Sequence, residues 1–197
     1  MFKATLFLVT GIVDAATGTR DIHQLSGLRR SMPFLSVVAA LATASMIGLP
    51  PTAGYVAKEA ALEGLIHAPG PWPRAVLVVM VLGSILSVAY GLRFWWGAFS
   101  VKEGLEDTDV DRESWAMFVP PTVLAVAGVV FGSLPGLGQR LLSPYADTYP
   151  AGGHGHLTLW GGLSLPLLLT VVILALGVAL FAFYGRDTRL QARADFP

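Results

Sequence analysis

The chain has no cysteine among its 197 residues. That excludes disulfide bonds and thiolate metal sites. Charge is scarce as well: Asp, Glu, Lys and Arg together make up 13%, about half the roughly 25% of an ordinary soluble domain. Basic and acidic residues balance at 13 each, so no positive excess points to nucleic acid. No phosphate loop, nucleophile elbow or zinc signature occurs, and there is no internal repeat. His154-Gly155-His156 lacks a third ligand in a glycine-rich stretch, so it reads as a polar loop rather than a metal site.

What is present is apolar length. Hydrophobic residues make up 54%, mean hydropathy is +0.63, and several runs can cross the ~30 Å hydrocarbon layer of a bilayer. The pattern predicts an all-α, polytopic transmembrane bundle, with residues 1–197 forming a single membrane domain. The expected helices are 2–16, 32–66, 75–99, 115–134 and 158–184, followed by a tail over 185–197. The first begins apolar at once and reads as the second half of a membrane helix, which would put Lys3 inside the membrane. The alternative is a true start with Lys3 snorkelling to the interface. Thr17-Gly18-Thr19 ends this helix, and Pro33 opens the next as a first-turn proline. Residues 135–156, rich in Gly and Pro, read as a loop, and Pro166 as a kink site in the last helix.

The segment over 32–66 would be roughly 50 Å long as a straight helix, too much for one crossing. Pro50 and Pro51 remove two donors and disfavour helix before them, and Gly48 and Gly54 flank them. Two half-helices in one crossing follow. Their freed backbone groups need a polar or protein-lined interior, because lipid cannot satisfy them. A tight hairpin of two embedded halves is the alternative. Lys58 and Glu59 lie just past the break.

Counting basic residues assigns the remaining charge. If loop 17–31 is cytoplasmic, then loop 100–113 and the C-terminal tail are too, and nine basic residues lie on that side against Arg74 and Arg140 on the other. This is the positive-inside bias. Lys3 and Lys58 are left over, both within membrane segments. The acidic run over 103–113 reads as a solvated connector. All five tryptophans fall near expected helix ends, as an interfacial aromatic belt requires.

A lysine at a helix centre costs roughly 2.5–3.5 kcal/mol on insertion scales, so such residues face bundle interiors and mark ion paths. Burial penalises the charged ammonium, so a lysine there can take and release a proton as neighbouring charge changes. Glu59 could supply that charge, although adjacent helical residues do not face each other. The structural alternative has Lys58 and Glu59 capping the second half-helix and snorkelling outward.

Phe2 to Leu28, FKATLFLVTGIVDAATGTRDIHQLSGL, resembles a segment of the large subunit of Mrp-type multisubunit cation/proton antiporters. Gly48 to Leu62, GLPPTAGYVAKEAAL, resembles the broken helix further along that subunit. Both features also occur in the antiporter-like membrane-arm subunits of respiratory complex I and in membrane-bound hydrogenases; Thr17-Gly18-Thr19-Arg20-Asp21 favours the Mrp type. The resemblance implies part of a monovalent cation (Na+)/proton antiporter, a secondary transporter rather than an enzyme. It would sit in the cell membrane beside other antiporter subunits and use no organic cofactor. Lys3 would be the central-axis lysine and Lys58 the terminal lysine of the broken helix, with Glu59 beside it as a third relay residue. The family's histidines upstream of the Lys3 position, and its earlier helices with a glutamate–lysine pair, are not in this sequence, so a fragment of a longer polypeptide is expected. The rival readings are a proton-translocating component of complex I or of a hydrogenase, and a non-transporting structural membrane module.

Overall fold

The computed structural model describes residues 1–111, 114–146, 148, 157–162 and 164–194, with side chains through Phe183. Eight helices and no strand occur among them: α1 (Phe2–Thr17), α2 (Leu28–Ser31), α3 (Pro33–Ile47), α4 (Ala53–His67), α5 (Pro71–Phe99), α6 (Trp115–Ser133), α7 (Pro135–Ala146) and α8 (Leu165–Ala194). α5, α6 and the Leu165–Phe183 part of α8 are long and apolar enough to cross a membrane, and α3 is a shorter apolar helix. Large apolar side chains point outward along these helices, among them Val79, Val123 and Leu168. In water that surface would be a liability; against lipid it is the expected exterior.

Several boundaries differ from the sequence reading. Residues 135–146, expected in a loop, form α7. Its Gly and Pro content hides a helical pattern in which exposed Leu137 and Leu141 stand one turn apart. The last helix starts at Leu165 rather than residue 158, because the Ser164 hydroxyl accepts the Leu167 N–H at 3.3 Å. Pro166 thereby falls in the first turn, where its missing N–H costs nothing, and the expected kink does not arise. α8 then continues to Ala194, through residues expected as a tail but rich in the helix formers Ala, Arg, Leu and Gln. α5 starts at Pro71 instead of residue 75, with prolines in its first turn. The single turn α2 lies within the expected loop 17–31.

α3 is central and packs against α1, α4, α5 and α6. One apolar core joins α1, α3, the α1–α2 loop and the end of α5 around Leu28, Leu35 and Phe99. A second lies at the break, where Ile47 of α3, Leu62 of α4, Val88 of α5 and Ile173 of α8 meet. α5 and α8 approach closely: a Cβ on Gly177 would collide with Val88 and the Ile85 carbonyl.

At the other end, loop 17–31 and the stretch 100–111 are bound together. The Ser26 N–H donates to Thr108 Oγ1 at 2.9 Å, while the Thr108 N–H donates to the Ser26 carbonyl and the Gly27 N–H to the Ser100 carbonyl, both at 2.9 Å. Ser26 Oγ accepts the Lys102 N–H at 3.1 Å. The Lys102 ammonium donates to the Ile22 and Leu25 carbonyls. Burial lowers the Lys102 pKa from its ordinary value, opposed by Asp21. Arg30 pairs with Asp107 at 3.1 Å, and the Asp111 N–H donates to the Ala16 carbonyl at the end of α1 at 2.9 Å. The acidic stretch is therefore a clamp over the bundle end rather than a free connector. Arg112 and Glu113 lie outside the described residues.

Candidate functional site

The break runs from Gly48 to Thr52. Gly48 takes φ +83, ψ +44, a left-handed conformation that glycine adopts without strain. Its N–H and that of Leu49 both donate to the Ala44 carbonyl, at 3.1 and 2.9 Å. Pro50 and Pro51, joined by a cis peptide, cross the gap without donors of their own. Thr52 closes it: its N–H and hydroxyl both donate to the Leu49 carbonyl, at 3.2 and 2.6 Å. It also caps α4, its side chain accepting the Tyr55 N–H at 3.4 Å. α6 covers the break from outside, since Gly132 lies against the backbone of Pro51 and Thr52.

The two half-helices are joined by side chains. Ser45 Oγ, in the last turns of α3, accepts the Gly54 N–H at 3.2 Å. Gly54 comes so close that a Cβ would run into the Ser45 carbonyl, so glycine is needed there for the approach itself. Lys58, half-buried, folds back over Gly48 and donates from Nζ to the Ile47 carbonyl at 3.0 Å. That carbonyl belongs to the last residue of α3, one of the four that a helix leaves unpaired and the negative end of its dipole. Lys58 therefore caps the first half-helix from within the second. It does not cap its own helix and snorkel outward.

Glu59 turns the other way, as a neighbour about 100° around the helix must. Its Oε2 accepts from Thr170 Oγ1 of α8 at 3.1 Å. Tyr55, one turn earlier, is buried, while Glu63, one turn later, is exposed.

The structure thus gathers Lys58, Glu59, Pro50, Pro51 and Gly54 at one place. Lys3 is not brought to them: it is exposed on α1, and no hydrogen bond or ion pair to it occurs among the described residues. The buried face of α1 carries Thr5 instead, which lines a crevice with Ser45 of α3 and Gly128 of α6. Asp14 pairs with Arg20 across the end of α1 at 2.7 Å, and this contact raises the Arg20 pKa. Sequence reasoning missed Ser45, Thr52 and Thr170. Each is a hydroxyl in an apolar stretch, a faint signal that acquires a meaning only once its partner is known. Among the described residues no three His, Cys, Asp or Glu side chains cluster to hold a metal ion; His154 and His156 lie outside those residues.

At this site a charged lysine regains part of its insertion cost. The insertion cost of roughly 2.5–3.5 kcal/mol is opposed by a charge-assisted hydrogen bond of about 1.5–3 kcal/mol. The helix end adds about 0.3–1 kcal/mol, more where partly buried.

The chain is similar to known membrane proteins. Residues 1–87 match the family described as "NADH:quinone oxidoreductase/Mrp antiporter, TM". The chain is 31% identical to a Na(+)/H(+) antiporter subunit of Alkalihalophilus pseudofirmus, over 91% of this chain and 24% of that protein. It is 32% identical to a probable K(+)/H(+) antiporter subunit of Rhizobium meliloti, over 91% of this chain and 19% of that one. Among solved structures, the Mrp complex from Dietzia sp. DQ12-45-1b superposes with a TM-score of 0.74 at 31% identity, covering all of this chain and 21% of the matched chain. The chain spans about a quarter or less of the length of these relatives.

Proposed function

We propose, from the match of residues 1–87 to the NADH:quinone oxidoreductase/Mrp antiporter membrane family and from the likeness of the whole chain to part of antiporter subunits, that this chain is part of a monovalent cation/proton antiporter in which Lys58 relays protons. Sodium is the favoured cation, as for the Na(+)/H(+) antiporter subunit of Alkalihalophilus pseudofirmus. In this reading the chain acts within a secondary transporter, beside the other subunits of a multisubunit membrane complex. The observation that carries this reading is the contact of Lys58 Nζ with the Ile47 carbonyl across the helix break. A charged Lys58 is held by the negative end of α3. A neutral one still donates an N–H to the same carbonyl and presents a lone pair for the next proton. Glu59 supplies an acidic partner on the adjacent face, and Lys3 is the relay group further along the membrane.

Loops 17–31 and 100–113 and the C-terminal tail face the cytoplasm in this proposal. Support comes from the clamp that joins the first two on one side of the bundle and from the basic residues concentrated there. The test is Lys58→Ala in the complete antiporter assembly, read as cation-driven proton movement in everted membrane vesicles. A loss of about tenfold or more, with normal amounts of assembled complex, is expected. Parent-like transport would leave Lys58 a structural cap and move the structural-module reading ahead.

A further inference from the structure

Several hydroxyls inside these helices share one local pattern. Thr5, Thr10, Thr17, Ser87 and Thr122 each donate to the backbone carbonyl four residues earlier, the local solution for a hydroxyl in an apolar helix. Thr170 donates instead to a carboxylate oxygen of another helix, Glu59 Oε2, at 3.1 Å. It is 4% exposed, and the other residues from Leu165 to Phe183 are apolar. A buried hydroxyl that gives up its local bond for a distant carboxylate fixes the geometry of that carboxylate.

Resting on the proton-relay reading above, we propose that Thr170 is a positioning residue for proton exchange at Glu59. A hydroxyl has one donor and two acceptor sites, so Thr170 serves both states of its partner. With Glu59 ionised, Thr170 donates to Oε2 and holds the carboxylate toward α8. When Glu59 takes a proton, a new O–H bond forms on the carboxylate, and the Thr170 hydroxyl rotates to accept from it. Thr170 keeps its own proton throughout and changes only the direction of its O–H. The titratable groups facing Glu59 are Tyr55 and Glu63 of its own helix. α3, α6 and Leu165–Phe183 of α8 contain no charged residue. α5 contains only Arg74 and Arg93, and no ion pair joins either to Glu59 among the described residues. The Thr170 hydroxyl is thus the group bonded to the Glu59 carboxylate from outside α4, and it is fixed within a helix.

The test compares Thr170→Val and Thr170→Ser in the complete antiporter assembly, with transport measured against pH in vesicles. Valine keeps the branched shape and removes the hydroxyl; serine keeps the hydroxyl. The expected result is a several-fold slower Thr170→Val, with its profile displaced by about one pH unit toward higher pH, the scale of one hydrogen bond to a charged group. Thr170→Ser should overlay the parent. Should Thr170→Val fail to assemble, Thr170→Ala removes the hydroxyl with less bulk and carries the same expectation. A parent-like pH profile in the assembled hydroxyl-free variant, or failure of serine to restore the profile, overturns the proposal. Lys58→Ala measured alongside separates the two failures. Transport indifferent to Lys58 removes the relay reading, whereas transport that needs Lys58 but ignores Thr170 removes only this proposal.

Discussion

The two polar regions of the molecule are built on opposite plans. At the loop end, 17–31 and 100–111 are held mainly by backbone groups of Ser26, Gly27, Ser100, Lys102 and Thr108. Charged side chains add to contacts that already exist. At the helix break, side chains reach across single gaps: Ser45 to Gly54, Lys58 to Ile47, and Glu59 to Thr170. The clamp is redundant and the break has little to spare, which suits a structural fastening and the proposed proton-relay site respectively.

That contrast is broken most severely at Gly54. Gly54→Ala drives a Cβ into the Ser45 carbonyl and is expected to cost at least about 3 kcal/mol, the upper range for overpacking. The assembled protein in membranes should fall sharply, as read by immunoblot and thermal melting of the purified complex; parent-like melting would mean that α3 and α4 separate at little cost. A smaller effect follows from Lys102→Met, which keeps the stem but loses the bonds to the Ile22 and Leu25 carbonyls. About 1–2 kcal/mol and faster proteolysis within 100–111 are expected, with transport rate unchanged. A transport defect there would show that the clamp is coupled to the break. Smallest of all is Arg30→Ala. The Arg30–Asp107 pair is 67% and 39% exposed at its two side chains, so its removal should move melting by less than about 0.5 kcal/mol. A larger shift would mean that the clamp depends on charge after all.

The sequence made the break legible because its signals are local. Pro50, Pro51, Gly48 and Gly54 stand within seven positions, and each acts on its own backbone. Lys58 could be singled out by elimination, but not its partner, because the Ile47 carbonyl carries no mark in a sequence. The Glu59–Thr170 contact spans 111 positions and depends on how α8 packs. α7 was hidden by Gly136, Gly138 and Pro144, residues that weaken a helix without forbidding it. The clamp was invisible for another reason: backbone groups form most of it, and an acidic stretch looks the same whether it is solvated or fastened.

Gly177 has a bearing on heredity. It has neither charge nor hydroxyl, yet it seats α8 against Val88 and Ile85. Thr170 stands seven residues earlier, two turns along nearly the same stripe. The notch at Gly177 therefore acts as a detent that dials Thr170 onto Glu59. A side chain added there would lift α8 away, and an inert residue about 10 Å distant along the helix would be inherited as a change at the proposed proton site.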